Sequence, residues 1–202
     1  MAHIHNTTMS PTKLELLDRW LPQQAWYAGT GKPDLNRVGG FRLDDPDGEV
    51  GIEFMVVRDD ADGGTAYHVP MTYRGEPLED APDSALIGTS EHGVLGERWI
   101  YDGAQDPVLV AQLAALLRGA VTAQHQSKSD TAEPRVRIDS TADDTEPAGA
   151  ETVTAADGTV IHLFRVFGDS GGPEAATGLA SFEAETGHGT LSMSGLDVRV
   201  RS

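Results

Sequence analysis

Between residues 38 and 74 the side chains follow a two-residue period, and nothing else in the sequence restricts the fold as strongly. Ile52, Phe54 and Val56 alternate with Glu53, Met55 and Val57, and Tyr67, Val69, Met71 and Tyr73 repeat the spacing. Successive side chains on an extended chain point to opposite faces, so these runs read as strands. Two turn clusters punctuate them, Asp44-Asp45-Pro46-Asp47-Gly48 and Asp59-Asp60-Ala61-Asp62-Gly63-Gly64. The expectation is an antiparallel meander.

A helix is expected on each side of it. Over residues 10–21, Leu14, Leu17 and Leu21 form one apolar stripe. Ser10 can cap this helix, Pro11 suits its first turn, and Thr12 with Glu15 can form a capping box. Pro22 stops it. Over residues 106–118, Asp106 is the cap, Pro107 the first residue, and Gly119 the terminator. Leu109, Leu113 and Leu116 form the core stripe of this second helix, widened by Val110 and Leu117. One sheet covered by two helices is an α+β layer arrangement.

After residue 119 the composition shifts. From 120 to about 158 Ser, Thr, Ala, Asp, Glu and Pro dominate, which reads as a flexible acidic linker. Strand-like runs return at Thr159–Phe167, Leu179–Glu183 and Leu196–Val200. They predict either a small C-terminal β unit over 159–202 or extra strands on the main sheet. The organisation expected is 1–119, 120–158 and 159–202.

Charge and cysteine content remove several classes of function. The 202 residues carry 32 acidic and 15 basic side chains, a formal charge of −17. Such a field repels phosphate backbones and anionic membrane surfaces, so nucleic acid and membranes are not expected partners. With no cysteine, disulfides, thiolate zinc sites and cysteine nucleophiles are absent. The N-terminus lacks the apolar stretch of a signal peptide, and a cytoplasmic location is expected.

Three stretches in order carry a family resemblance. Leu21-Pro22-Gln23-Gln24-Ala25-Trp26-Tyr27-Ala28-Gly29-Thr30-Gly31-Lys32 resembles the opening motif of the maltokinase N-terminal cap, with proline and glutamine ahead of an aromatic pair, then glycine and basic residues. Tyr67–Arg74 followed by Ala85-Leu86-Ile87-Gly88 resembles the next stretch. Trp99-Ile100-Tyr101-Asp102, with Asp106-Pro107 opening a helix, resembles the third. Standalone cap-like proteins, of the type grouped with α-glucan branching enzymes, look similar. The resemblance implies a curved antiparallel sheet with helices on one face, cystatin-like in topology, over residues 1–119. Thr30 departs from the basic residue usual after the glycine.

The resemblance also implies a kinase neighbourhood, and the remaining residues do not supply the kinase. Phosphotransfer needs a strand lysine and a catalytic-loop aspartate. Val160-Ile161-His162-Leu163-Phe164-Arg165 resembles the lysine strand with His162 in the lysine's place. His188-Gly189-Thr190-Leu191 echoes the catalytic loop with Thr190 where aspartate is required. No cofactor is implied.

Other patterns are weighed and set lower. Gly168-Asp169-Ser170-Gly171-Gly172-Pro173 is identical to the nucleophile motif of trypsin-like proteases, and His68 and Asp106 precede Ser170 in the right order. Against this, Asp106 opens a helix, His68 sits in a predicted strand, and a triad is defined by geometry. Gly29–Pro33 lacks phosphate-loop spacing. Asp45, Asp47 and Glu49 read as a hairpin turn rather than a calcium loop, and His3 and His5 as a polar terminus.

The reading reached is a non-catalytic cap-like module linked to trehalose and α-glucan metabolism. It acts by docking on an enzyme of those pathways or by binding a saccharide. Trp26, Tyr27, Gly29, Lys32, Tyr73, Arg74, Trp99 and Tyr101 are the expected ligand- or partner-binding residues, since amphipathic rings stack on sugars and anchor partners. The alternatives are a maltokinase-type sugar kinase and, further off, a serine hydrolase using Ser170.

Overall fold

The computed structural model describes residues 9–128, 130–139, 150–167, 176–184, 187–194 and 196. A first sheet forms from β1 (Met9–Ser10), β2 (Leu35–Leu43), β3 (Gly51–Asp59), β4 (Thr65–Arg74), β5 (Leu86–His92) and β6 (Gly96–Asp102). Its order is β1-β5-β6-β4-β3-β2, all antiparallel, and it curls as expected for an α+β cap. The meander predicted over 38–74 is its centre. β3 and β4 pair without interruption from Gly51 opposite Tyr73 to Asp59 opposite Thr65. Gly63, at φ 74°, makes the left-handed turn between them that a residue with a Cβ rarely adopts.

The turn before β3 is organised by one carboxylate. Asp45 is buried and accepts from the amides of Asp47, Glu49 and Val50, so the acidic cluster there is a hairpin turn.

Helix α1 (Lys13–Trp20) starts two residues later than a Ser10 cap would place it. Ser10 pairs with Glu91 in the sheet. Thr12 is the cap, and its capping box with Glu15 is complete, each side chain accepting from the other's amide. Leu16, Leu17, Trp20 and Leu21 are buried, while Leu14 packs at the margin. Helix α2 (Pro107–Leu117) follows its prediction closely. Asp106 accepts from the Val108 amide at 2.9 Å. Gly119, at φ 72°, closes the helix with amide bonds from Gly119 to Leu116 and from Ala120 to Ala115.

The helices do not share one face. α1 lies over Met55, Val57, Tyr67, Val69 and Met71. α2 lies over the opposite side, against Phe41, Ile52, Phe54, Val56 and Ala66. The cause is in β3 itself, where both alternating sets are apolar and both faces need cover. Burying a side chain such as Leu17 stabilises the fold by about 1.5–3 kcal/mol.

C-terminal residues contribute to two sheets, and the expected run Leu196–Val200 lies, beyond Leu196, outside the described residues. β7 (Val136–Asp139), β8 (Glu151–Thr154), β9 (Val160–Leu163), β11 (Ala176–Ala184) and β12 (Gly187–Ser194) form a second antiparallel sheet, ordered β7-β12-β11-β9-β8. Ile161, Leu163, Leu179, Leu191 and Met193 join the α2 side of the core. Meanwhile β10 (Val166–Phe167) pairs with Ala66 and Tyr67 of β4 in the first sheet. β4 therefore shares one edge between β10 and β6, which pairs with Met71–Arg74.

The stretch read as an acidic linker contains β7 and β8. Both are edge strands with side chains that are exposed or half-buried, so they form with few apolar residues. Residues 140–149 lie outside the described residues, as do His3, His5 and Gly168–Pro173. Among the described residues no helix is long and apolar enough to cross a membrane.

Candidate functional site

A cleft of about 390 Å³ opens where the first sheet meets the C-terminal strands. The sequence builds it from three directions. After α1, Pro22 forces a short 3-10 turn over Leu21–Gln23, and the next residues carry Trp26 back over the sheet. The indole rests edge-on against Trp20 at 5.8 Å and tilted over Tyr67 at 6.0 Å. At the end of β6, Asp102 caps the 3-10 turn Gly103–Gln105. From the other sheet come Glu151, the first residue of β8, and Arg165, between β9 and β10.

Arg165 organises the cleft. Its side chain is wholly buried, and Nη2 donates to both Asp102 oxygens at 2.8 and 2.7 Å. Nε donates to Glu151 at 2.8 Å, and the guanidinium lies 5.3 Å from the Trp26 ring centre. Gln105, at the exposed lip, donates to the other Glu151 oxygen at 3.0 Å. Among the described residues Nη1, itself sealed from solvent, has no hydrogen-bond partner. Burial acts to lower the Arg165 pKa, but Asp102 and Glu151 together outweigh it and raise it. Burial raises that of Asp102, against the opposing pull of Arg165. One cation and two carboxylates leave the cleft with a formal excess of negative charge.

The expected site residues are distributed around the fold. Trp26 lines this cleft. Tyr27 packs on Tyr67 at 5.3 Å and donates to the buried Asp59 at 2.7 Å. Gly29 lies against the Tyr27 ring, so closely that a Cβ would come within 2.2 Å of its oxygen. Lys32 is exposed. Trp26 and Tyr27 thus come together around Tyr67, with Gly29 against Tyr27, and the others lie elsewhere. Tyr73 donates to Glu53 at 2.7 Å, under a cation from Lys13 5.0 Å from its ring. Arg74 binds Asp106 through two 2.7 Å hydrogen bonds. Trp99 is half-buried opposite Arg74 and Thr89. Tyr101 is buried, its oxygen accepting from the Leu78 amide.

Asp102, Gln105, Glu151 and Arg165 escaped the sequence reading. A lone arginine between the apolar runs of β9 and β10 was the available signal, since a buried guanidinium demands partners.

The protease pattern does not assemble at its histidine. His68 is fully buried between Phe54 and Phe167, with the backbone of Phe164 and Leu179 facing its ring. Burial, reinforced by the Arg165 charge, pushes its pKa down to about 3. The Asp106 carboxylate is taken by Arg74 and the Val108 amide. The histidine–aspartate bond of a triad is therefore missing, and Ser170 lies outside the described residues. His162 stands in β9 with its Nδ1 3.0 Å from the Thr152 hydroxyl. The run from His188 to Leu191 is part of strand β12 rather than a catalytic loop.

The fold is thus a curled antiparallel cap, with a C-terminal sheet clamped to it through Arg165. Residues 20–106, from the last residue of α1 to the cap of α2, match the family model of the maltokinase N-terminal cap domain. Over this stretch, which is less than half of the chain, the protein is similar to that cap domain. No curated protein matches the chain.

Proposed function

We propose that this chain is a non-catalytic accessory of trehalose and α-glucan metabolism, which docks in the cytoplasm on a maltokinase-like enzyme. The observation that carries this reading is the match of residues 20–106 to the maltokinase cap. The state of the titratable groups supports it. His68 is sealed between aromatic rings, Asp106 caps a helix, and His162 faces Thr152 within its sheet. Groups tied into their own framework suit a scaffold better than a reaction centre, because function follows the site and not the fold alone. Of the expected contact residues, Lys32 and Trp99 keep side-chain surface that a partner can reach.

The test is to mix the purified chain with a maltokinase deprived of its own cap. Sedimentation velocity should show a joint species, and maltose phosphorylation should rise. Lys32→Glu and Trp99→Ala should weaken the complex. Separate boundaries with an unchanged rate would overturn the proposal.

A further inference from the structure

The ribbon formed by β5 and β6 gathers charge of one sign. Residues 75–97, from the end of β4 into the start of β6, contain six acidic side chains and no lysine or arginine. Glu76, Glu79, Asp80, Asp83, Glu91 and Glu97 are all exposed, and among the described residues none takes part in an ion pair. Two of them stand opposite each other, since Glu91 pairs with Glu97 across the ribbon. Like charges at directly paired positions destabilise an antiparallel pair. The free chain therefore carries a repulsion here that one lysine would turn into an attraction.

The same ribbon keeps apolar side chains in water. Of the five large apolar residues exposed among the described residues, three lie on it: Leu86 at 37%, Val94 at 61% and Leu95 at 46%. The tip that carries Val94 and Leu95 is held in shape, because Nδ1 of His92 accepts from both of their amides, at 3.4 and 3.1 Å. Trp99 is half-buried opposite Thr89, on the face toward which its other neighbour Arg74 reaches α2. Helix α2 packs farther along that face, over Phe41, Ile52, Phe54 and Ala66, and Trp99 is outside its core.

These features together select the occupant. A nucleic acid or an anionic membrane is repelled, and a second copy brings the same acidic ribbon and a charge of −17. A small polyamine answers the charge and leaves Leu86, Val94 and Leu95 wet. Eight residues of extended chain separate Leu86 from Val94, roughly 25 Å, the width of a protein contact rather than of a small ligand. A protein surface with apolar residues at its centre and lysines or arginines around them answers both needs.

We infer that the β5–β6 ribbon is the surface that receives a partner protein, and that the partner presents a basic patch with an apolar centre, an inference that rests on the docking proposed above. Leu86, Val94, Leu95 and Trp99 are the anchors. The acidic side chains steer the approach, and a partner cation seated at Glu91 and Glu97 relieves their repulsion.

The full chain is titrated into the maltokinase deprived of its cap, with association and dissociation rates followed by surface plasmon resonance. Raising the ionic strength from about 0.05 to 0.5 M should slow association about tenfold. Glu91→Lys is the deciding variant. It places a lysine opposite Glu97, so the melting temperature should hold or rise while affinity falls about tenfold. Asp47→Lys makes the same charge change at the exposed β2–β3 turn and should leave affinity within about twofold. Leu95→Ser should speed dissociation. The inference is overturned if Glu91→Lys binds as tightly as the parent chain, if Asp47→Lys weakens binding equally, or if association ignores salt. A complex untouched by these changes overturns this surface alone, whereas the absence of any complex overturns the docking together with it.

Discussion

Arg74 and Asp106 are joined by two parallel hydrogen bonds of 2.7 Å, one from Nε and one from Nη2, which tie the end of β4 to the first turn of α2. The Asp106 side chain is fully buried, whereas that of Arg74 keeps 20% exposure. The same carboxylate caps the helix. Arg74→Ala would leave the buried Asp106 carboxylate without its charged partner. A loss of about 3 kcal/mol is expected in urea unfolding. A double-mutant cycle with Asp106→Asn should return a coupling well above that of a surface ion pair, and a coupling near zero would refute the arrangement.

His68 determines how the protein responds to acid. Its pKa is held at about 3 in the fold against 6.5 for the free side chain, so the folded state requires the neutral ring. The associated stability is complete above pH 6.5 and is lost as pH falls from there toward about 3. His68→Leu removes the group that must stay neutral in the fold and with it this acid-dependent loss. Melting temperatures followed from neutral to acid pH should fall less steeply in the variant. Equal slopes would contradict the burial of a neutral histidine.

Glu53 behaves in the same direction for a different reason. Burial opposes its ionisation, but Lys13 and the Tyr73 hydroxyl outweigh burial and hold its pKa below 4.5. Its contribution is present above that pH and lost as pH falls through the lowered value. Lys13→Met leaves the carboxylate with Tyr73 and Gln126. A loss of about 1–3 kcal/mol is expected by denaturant titration at neutral pH, shrinking once Glu53 is protonated in acid.

Gly29 is required by the packing of its neighbour. An added Cβ would stand 2.2 Å from the Tyr27 oxygen, the group that donates to Asp59. Gly29→Ala should cost about 1–3 kcal/mol and shift tyrosine absorbance, whereas Gly31→Ala, with open space around it, should change neither.

The parts of the fold that can be read from local rules were legible. Asp106, Pro107 and Gly119 specify both ends of α2 through backbone capping, and the periods of β3 and β4 specify strands. Thr12 prevailed over Ser10 because Glu15 lies three residues after it, completing a reciprocal cap that Ser10 lacks. The placement of the helices was also implicit, since Met55 and Val57 make the second face of β3 as apolar as the first. β7 and β8 were not legible, because edge strands draw their stability from one neighbour and need little apolar content. Trp26 could be singled out as an amphipathic ring. Its companions could not, because Arg165 and Asp102 are 63 residues apart in the chain and only the folded sheets bring them together.

The sharing of β4's edge has a consequence for the order of events during synthesis. Val166 and Phe167 close the gap beside Ala66 and Tyr67, so the middle of the first sheet waits for residues made long after it. At usual elongation rates that interval is on the order of ten seconds. Until then the β4 amide of His68 lacks the carbonyl of Arg165 to which it finally donates. A nascent chain halted after α2 would present an unpaired strand edge to its neighbours, and crowded ribosomes are where such edges find each other.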